Sequence, residues 1–207
     1  MIKDYLYDVK NLDLIGKSFK NGSSTSVFYP SPELLSITNI KSPMLIITRE
    51  KEKETFMREL FKDTTVSIQE VNIESLSKNT KKIFSWFKEK KIFFYFMTKL
   101  DTYETTDLNI FNSIDTVSFS PGYIQHFNVE ELDVEEVIDE INEEHIDFYG
   151  SFEKCEKVVV ESIKSSLEAL QRTDIFIRVN LDLHSEQFAY YDDKLYCIDP
   201  VIFPRVY

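Results

Sequence analysis

Glycine, histidine and cysteine are scarce in this chain, with 4, 3 and 2 residues among 207. Cys155 and Cys197 are too few for a disulfide framework and show no metal-ligand spacing. With His126, His145 and His184 they outline no zinc site, and a reducing compartment is expected. No run of about eighteen apolar residues occurs. The start, Met1-Ile2-Lys3-Asp4-Tyr5, lacks the apolar core of a secretion signal. Neither a membrane span nor export by the usual route is expected. Positive charge is also short: 24 Lys and Arg face 36 Asp and Glu, a formal net charge of −12. An acidic surface repels phosphates, so direct nucleic-acid binding through a basic face is not expected. A surface that mimics nucleic acid, or one that only keeps the chain in solution, agrees with that charge.

What is present supports a folded protein. Hydrophobic residues make up 43% and aromatics 14%, including 17 Phe and 11 Tyr, enough to build a core and to exclude global disorder. The length suits one large domain or two small lobes. No internal repeat and no Gly/Ser- or Pro-rich linker divides it. Residues 1–100 read as strands at 12–19, 26–29, 34–41, 44–48, 66–73 and 92–97. The charged stretch 51–61 has apolar residues at 56, 57, 60 and 61 and reads as an amphipathic helix. Segment 79–90 fits either a helix or a basic hairpin.

Residues 101–207 read differently. Between 129 and 147 lie ten acidic residues and no Lys or Arg, while Leu132, Val134, Val137, Ile138 and Ile141 keep a helical stripe. That is a helix with a solvated acidic face, or a face for a partner. The clearest helix is 152–172, with Val158, Val159, Ile163, Leu167 and Leu170 on one side. Short apolar runs follow at 175–177, 188–191 and 195–198, the last two joined by Asp192-Asp193-Lys194 as in a hairpin. A strand-rich first half and a helix-rich second half predict an α+β architecture of two lobes, 1–100 and 101–207.

The chemistry concentrates near the end of the chain. Asn180-Leu181-Asp182-Leu183-His184-Ser185-Glu186-Gln187 precedes the hairpin, and Cys197-Ile198-Asp199-Pro200 follows it. Two carboxylates bracketing a hairpin, with an amide between, suit phosphoryl transfer: one orients an attacking hydroxyl, the others hold magnesium on nucleotide phosphates. Read alone, Asp182 could cap a turn and Asp199 could end a strand. Together the segments resemble the catalytic region of protein-kinase-like enzymes, whose loop carries Asp, four residues, Asn, and then a hairpin ending in a metal-binding Asp. Asp182-Leu183-His184 is similar to the Asp-Leu-His-x-x-Asn loop of aminoglycoside phosphotransferases. Asp182-Leu183-His184-Ser185 with Ile198-Asp199-Pro200-Val201-Ile202-Phe203 resembles more narrowly the early serine/threonine protein kinases of T-odd bacteriophages. Those have an Asp-x-His-Ser loop and a Thr-Asp-Pro-Val-Ser-Phe segment.

The resemblance implies a two-lobed kinase-like fold, ATP and magnesium as cofactors, and transfer to Ser or Thr hydroxyls of host bacterial proteins in the host cytoplasm. It makes Asp182 the catalytic Asp and Asp199 the principal magnesium ligand, with Gln187 where the family has Asn. In the strand-rich lobe it makes Lys20-Asn21-Gly22-Ser23-Ser24-Thr25-Ser26-Val27 the nucleotide loop, with Gly22, Ser23, Ser24 and Val27 toward the nucleotide; an ordinary Gly-containing turn is the rival. Lys41, fourteen residues after Val27, becomes the phosphate-holding lysine, and Glu59 on the 51–61 helix its partner. Arg49 or Lys51 replaces Lys41 if 41–43 is a plain turn, and Glu54 replaces Glu59 if the helix register differs. The 92–100 segment resembles the strand entering the hinge, with adenine bound near Met97 to Lys99. The sequence ends eight residues after Asp199, so a truncated helical lobe is expected. Two other functions stay open: a pseudokinase that binds and blocks a host factor through its acidic face, and a small-molecule phosphotransferase.

Overall fold

The computed structural model describes residues 2–9, 11–22, 24–104, 107–119, 126–149, 156–173, 178–181 and 183–202. Among them the chain is a mixed α+β protein with one five-stranded sheet, two three-stranded sheets and seven α-helices. Contacts divide it into two units, one built from Met1–Glu54 and Phe61–Lys99, the other from Thr55–Leu60 and Leu100–Pro204.

The first unit carries the antiparallel sheet β1-β2-β3-β5-β4, formed by β1 (Gly16–Asn21), β2 (Thr25–Pro30), β3 (Pro43–Thr48), β4 (Ile68–Glu70) and β5 (Phe93–Thr98). β3 lies between β2 and β5, and Met44 through Thr48 are all buried, which explains its unbroken apolar run. One face supplies Phe28, Leu45, Ile47 and Phe96 to the core. Helices α1 (Ile2–Tyr7), α2 (Pro32–Leu35) and α4 (Lys78–Glu89) bring Ile2, Leu6, Leu34, Phe84 and Phe87 to the same cluster. Segment 79–90 is thus a helix, its alternatives resolved by burial of Thr80, Phe84 and Phe87 along one side.

The expected strand 34–41 does not form. Ser31 accepts from the backbone N–H of Leu34, and Pro32 pre-sets the first helical turn, so α2 starts where the apolar pair Leu34-Leu35 suggested a strand. Beyond it, Gln69 of β4 accepts from the Thr38 hydroxyl (3.0 Å) and the Asn39 N–H (3.1 Å) and donates to the Ile37 carbonyl (3.2 Å). A side chain satisfies this backbone, so no strand ladder is needed. The strands expected at 12–19 and 66–73 are shorter than the apolar pattern, because Leu12–Leu14 and Ile73–Ser75 wind into 3-10 turns.

The second unit holds α5 (Leu108–Phe119), α6 (Val134–Tyr149) and α7 (Lys157–Gln171). Its strands are β6 (Asp101–Thr102), β7 (His126–Asn128), β8 (Arg178–Leu181), β9 (Phe188–Tyr191), β10 (Lys194–Cys197) and β11 (Val201–Ile202). They form two antiparallel sheets, β10-β9-β6 and β11-β8-β7. The long helix buries Val159, Ile163, Leu167 and Leu170, and α6 buries Ile138 and Ile141. Polar contacts fix the helices: the Glu156 N–H donates to Ser113 Oγ (2.8 Å), Gln171 donates to the Leu132 carbonyl (2.6 Å), and Lys164 pairs with Glu135. The expected strand 175–177 lies outside the described residues.

Candidate functional site

The residues singled out near the end of the chain gather around the β9–β10 hairpin. Asp192 and Asp193, at φ 51° and 57°, make its tight turn; positive φ at both central positions matches the right-handed twist of the strands. At the open end Phe188 pairs with Cys197. One residue beyond, the Ile198 N–H donates to the Gln187 carbonyl at 2.6 Å. Gln187 and Asp199 are therefore held at the same end of one hairpin, although 12 positions separate them in the sequence. Helix α7 clamps that end, because buried Ser166 donates its hydroxyl to the Cys197 carbonyl.

Next to the hairpin, β8 pairs with β11, Leu181 facing Val201. Asp182 follows Leu181 directly but lies outside the described residues. Leu183 is buried on its other side, and Ser185–Gln187 form a 3-10 turn that carries the chain into β9. The Gln187 side chain is almost fully buried, with its amide nitrogen 2.9 Å from His184 Nε2. An amide nitrogen only donates, so in this orientation the imidazole Nε2 accepts and the amide oxygen points its acceptor capacity elsewhere. Asp199 is half-buried, with its Oδ1 atom shielded from solvent.

A magnesium ion carried by a nucleotide needs one or two protein carboxylates, its remaining ligands being phosphate oxygens and water. Asp199 and the amide oxygen of Gln187 are hard oxygen donors of that kind. Among the described residues no three His, Cys, Asp or Glu side chains cluster as an all-protein cage.

Gly22 closes the β1–β2 turn: its N–H donates to the Thr25 carbonyl at 2.7 Å, and an added Cβ would lie 2.9 Å from that same oxygen. The hairpin itself requires glycine here, so Gly22 by itself says nothing about phosphate. Ser23 is outside the described residues. The Ser24 carbonyl accepts from the Arg49 N–H (3.0 Å), and half-buried Val27 pairs with Ile46. Lys41 stands exposed in the bend ahead of β3 and not on a strand. Of its alternatives, Lys51 is exposed, whereas Arg49 is buried just past the end of β3, with its guanidinium 5.0 Å from the Tyr5 ring centroid. Beside it Glu50 and Lys53, both buried, pair at 3.6 Å. Met97 is buried opposite Met44, while exposed Lys99 lies over the Tyr29 ring at 5.8 Å. Buried Arg49, Glu50 and Lys53 form the charged group that the apolar pattern of β3 gave no reason to expect.

Glu59 and Glu54 sit on α3 (Lys53–Leu60). Within the second unit, Glu59 Oε1 accepts from Arg172 Nε at 2.6 Å, just beyond α7. Glu54 is half-buried.

Comparison with known proteins finds no family model, no curated protein and no solved structure that matches the chain.

Proposed function

We propose that the chain is a nucleotide-dependent phosphotransferase acting on protein Ser or Thr hydroxyls, with host bacterial proteins as substrates of a phage-encoded kinase. The observation that carries this reading is the hydrogen bond from Ile198 to Gln187. It holds the amide and Asp199 at one hairpin end, beside the β8–β11 pair from which Asp182 follows. In this reading Asp182 orients the acceptor hydroxyl, a role that needs position more than basicity. Asp199 and the Gln187 amide oxygen hold magnesium, which when bound would neutralise charge on the phosphate oxygens. His184 fixes the amide rotamer, and α7 fixes the hairpin end through Ser166. Lys41, Gly22 and the residues near Met97 enter only through the kinase resemblance, with Arg49 as the buried alternative to Lys41.

A second reading is favoured by Gln187 itself. Its extra methylene and its engagement with His184 suit a fold that keeps nucleotide without turning it over, in a protein that works by binding a host factor. Two measurements separate the readings. ATP with magnesium should raise the melting temperature by about 3–6 °C at tenfold saturation, and Asp199→Ala should erase that shift. Labelled ATP and host extract should yield labelled protein bands, reduced at least ~100-fold in Asp182→Ala. A melting shift without transfer selects the binding protein; no shift at all removes both readings.

A further inference from the structure

The net charge of −12 hides a division along the chain. Residues 1–99 carry 17 Lys and Arg against 12 Asp and Glu, whereas residues 100–207 carry 7 against 24. The positive excess is concentrated in 78–91, where Lys78, Lys81, Lys82, Lys88, Lys90 and Lys91 occur with a single acid, Glu89. Helix α4 turns Thr80, Phe84 and Phe87 into the core, so Lys78, Lys82, Ser85 and Glu89 fall on the opposite side, with exposed Lys88 on the flank next to it. Lys81 is paired with Glu74. Among the described residues, Lys78, Lys82, Lys88 and Lys90 meet no carboxylate at ion-pair distance.

We infer that this outer face of α4 is a docking surface for the phosphodiester backbone of a nucleic acid, bound without sequence preference. Three partners of negative charge compete for a lysine stripe, and its chemistry separates them. A protein interface draws its energy from buried aromatic and Arg anchors and is depleted in Lys; this stripe offers Lys78, Lys82, Lys88 and Ser85, with Glu89 its one acid. An anionic membrane is held firmly by apolar side chains inserted beside the basic ones, but Phe84 and Phe87 are fully buried in the core. A phosphate backbone needs only mobile point charges at suitable spacing. From Lys78 to Lys88 the helix rises about 15 Å, the length over which one strand of a duplex presents about four phosphates. Within residues 1–99 the 17 Lys and Arg against 12 Asp and Glu leave a net charge of +5 around the stripe. Whole-chain charge therefore misjudges this face, and the inference reverses the expectation drawn from composition.

The test uses the full chain and fluorescence anisotropy with short labelled mixed-sequence duplex DNA and single-stranded RNA, from about 50 to 200 mM salt. Binding should weaken with salt with a logarithmic slope of about −3, matching three to four neutralised phosphates. Lys78→Glu, Lys82→Glu and Lys88→Glu together should weaken binding at least tenfold, with the circular dichroism spectrum of the folded chain retained because all three are exposed. A control with the same change in net charge, Lys17→Glu, Lys157→Glu and Lys194→Glu, should bind as wild type. Wild-type affinity in the α4 triple variant, or equal loss in both triples, overturns the inference. So does binding to phosphatidylserine vesicles or polyglutamate at salt concentrations where neither nucleic acid is retained. Whether duplex DNA or RNA binds better identifies the source of the phosphates. If the triple variant misfolds, protection of Lys82 and Lys88 from acylation by added duplex in the wild-type chain decides the matter, and unchanged acylation overturns the inference.

Discussion

The carboxylate of Glu33, on α2, caps helix α4 from 44 positions away: it accepts from the backbone N–H and hydroxyl of Ser77 and, at 2.5 Å, from the Thr80 hydroxyl. Ser77 occupies the N-cap position but makes no cap hydrogen bond with its own side chain, and among the helix-start donors its N–H turns to Glu33. The Thr80 hydroxyl first, and then the Ser77 N–H, hold this carboxyl below its ordinary value of 4.5. Glu33→Gln should lower stability by about 0.5–2 kcal/mol in a urea titration at neutral pH. A carboxyl depressed in the folded chain stabilises it fully above pH 4.5, and that contribution is lost as pH falls through the folded value. The difference between wild type and Glu33→Gln should therefore shrink below pH 4.5. A gap that persists unchanged at low pH would mean that the cap is not ionic.

Tyr103 follows β6 and stacks on Tyr190, with ring centroids 6.2 Å apart and planes 17° from parallel. Its hydroxyl is buried and, among the described residues, has no hydrogen-bond partner. Burial, aided by Tyr190 and Asp107, pushes the phenol up from 10.0 to about 12. Because the folded value is raised, stability from the neutral phenol is present below pH 10 and falls as pH rises toward about 12. Tyr103→Phe removes a buried polar atom that no described residue satisfies, so stability at pH 7 should stay equal or rise by up to about 1–3 kcal/mol. A marked loss on chemical denaturation would point to a partner for that hydroxyl.

Ser166→Ala breaks the link between α7 and the Cys197 carbonyl at a fully buried site. Losing that buried hydrogen bond should cost about 0.5–1.5 kcal/mol on unfolding. If the hairpin end is the phosphotransfer site, transfer from ATP should fall further than stability explains at a temperature where the variant is folded. Equal activity per folded molecule would separate α7 from the chemistry.

Gly16 begins β1 at φ 137°, and an added Cβ would lie 2.0 Å from the Tyr29 carbonyl oxygen. Gly16→Ala should cost about 1–3 kcal/mol from backbone strain alone, more once the β1–β2 pairing is displaced. Gly22→Ala, whose Cβ would approach the Thr25 oxygen to 2.9 Å, should be milder because its φ is not in the positive region. Denaturation midpoints of the two variants give the order directly.

Local pattern alone determines much of this protein. β2, β3 and β5 follow from runs of branched and aromatic residues, α3 and α7 from apolar spacing, and the β9–β10 hairpin from Asp192-Asp193 between two such runs. Each signal is contained within a few residues. Tertiary structure decided what depends on distant partners. Gln69 takes the backbone of 37–39 out of any strand, and Ser31 turns Leu34 into a helix. Segment 79–90 is a helix because its aromatic side enters the core. Gln187 and Asp199 lie at one hairpin end through the Ile198–Gln187 backbone bond, and Glu59 meets Arg172 across 113 positions. Side-chain periodicity reports which face is apolar; which carboxylate meets which donor is set by strand register and helix docking, and neither is written in any short stretch of sequence.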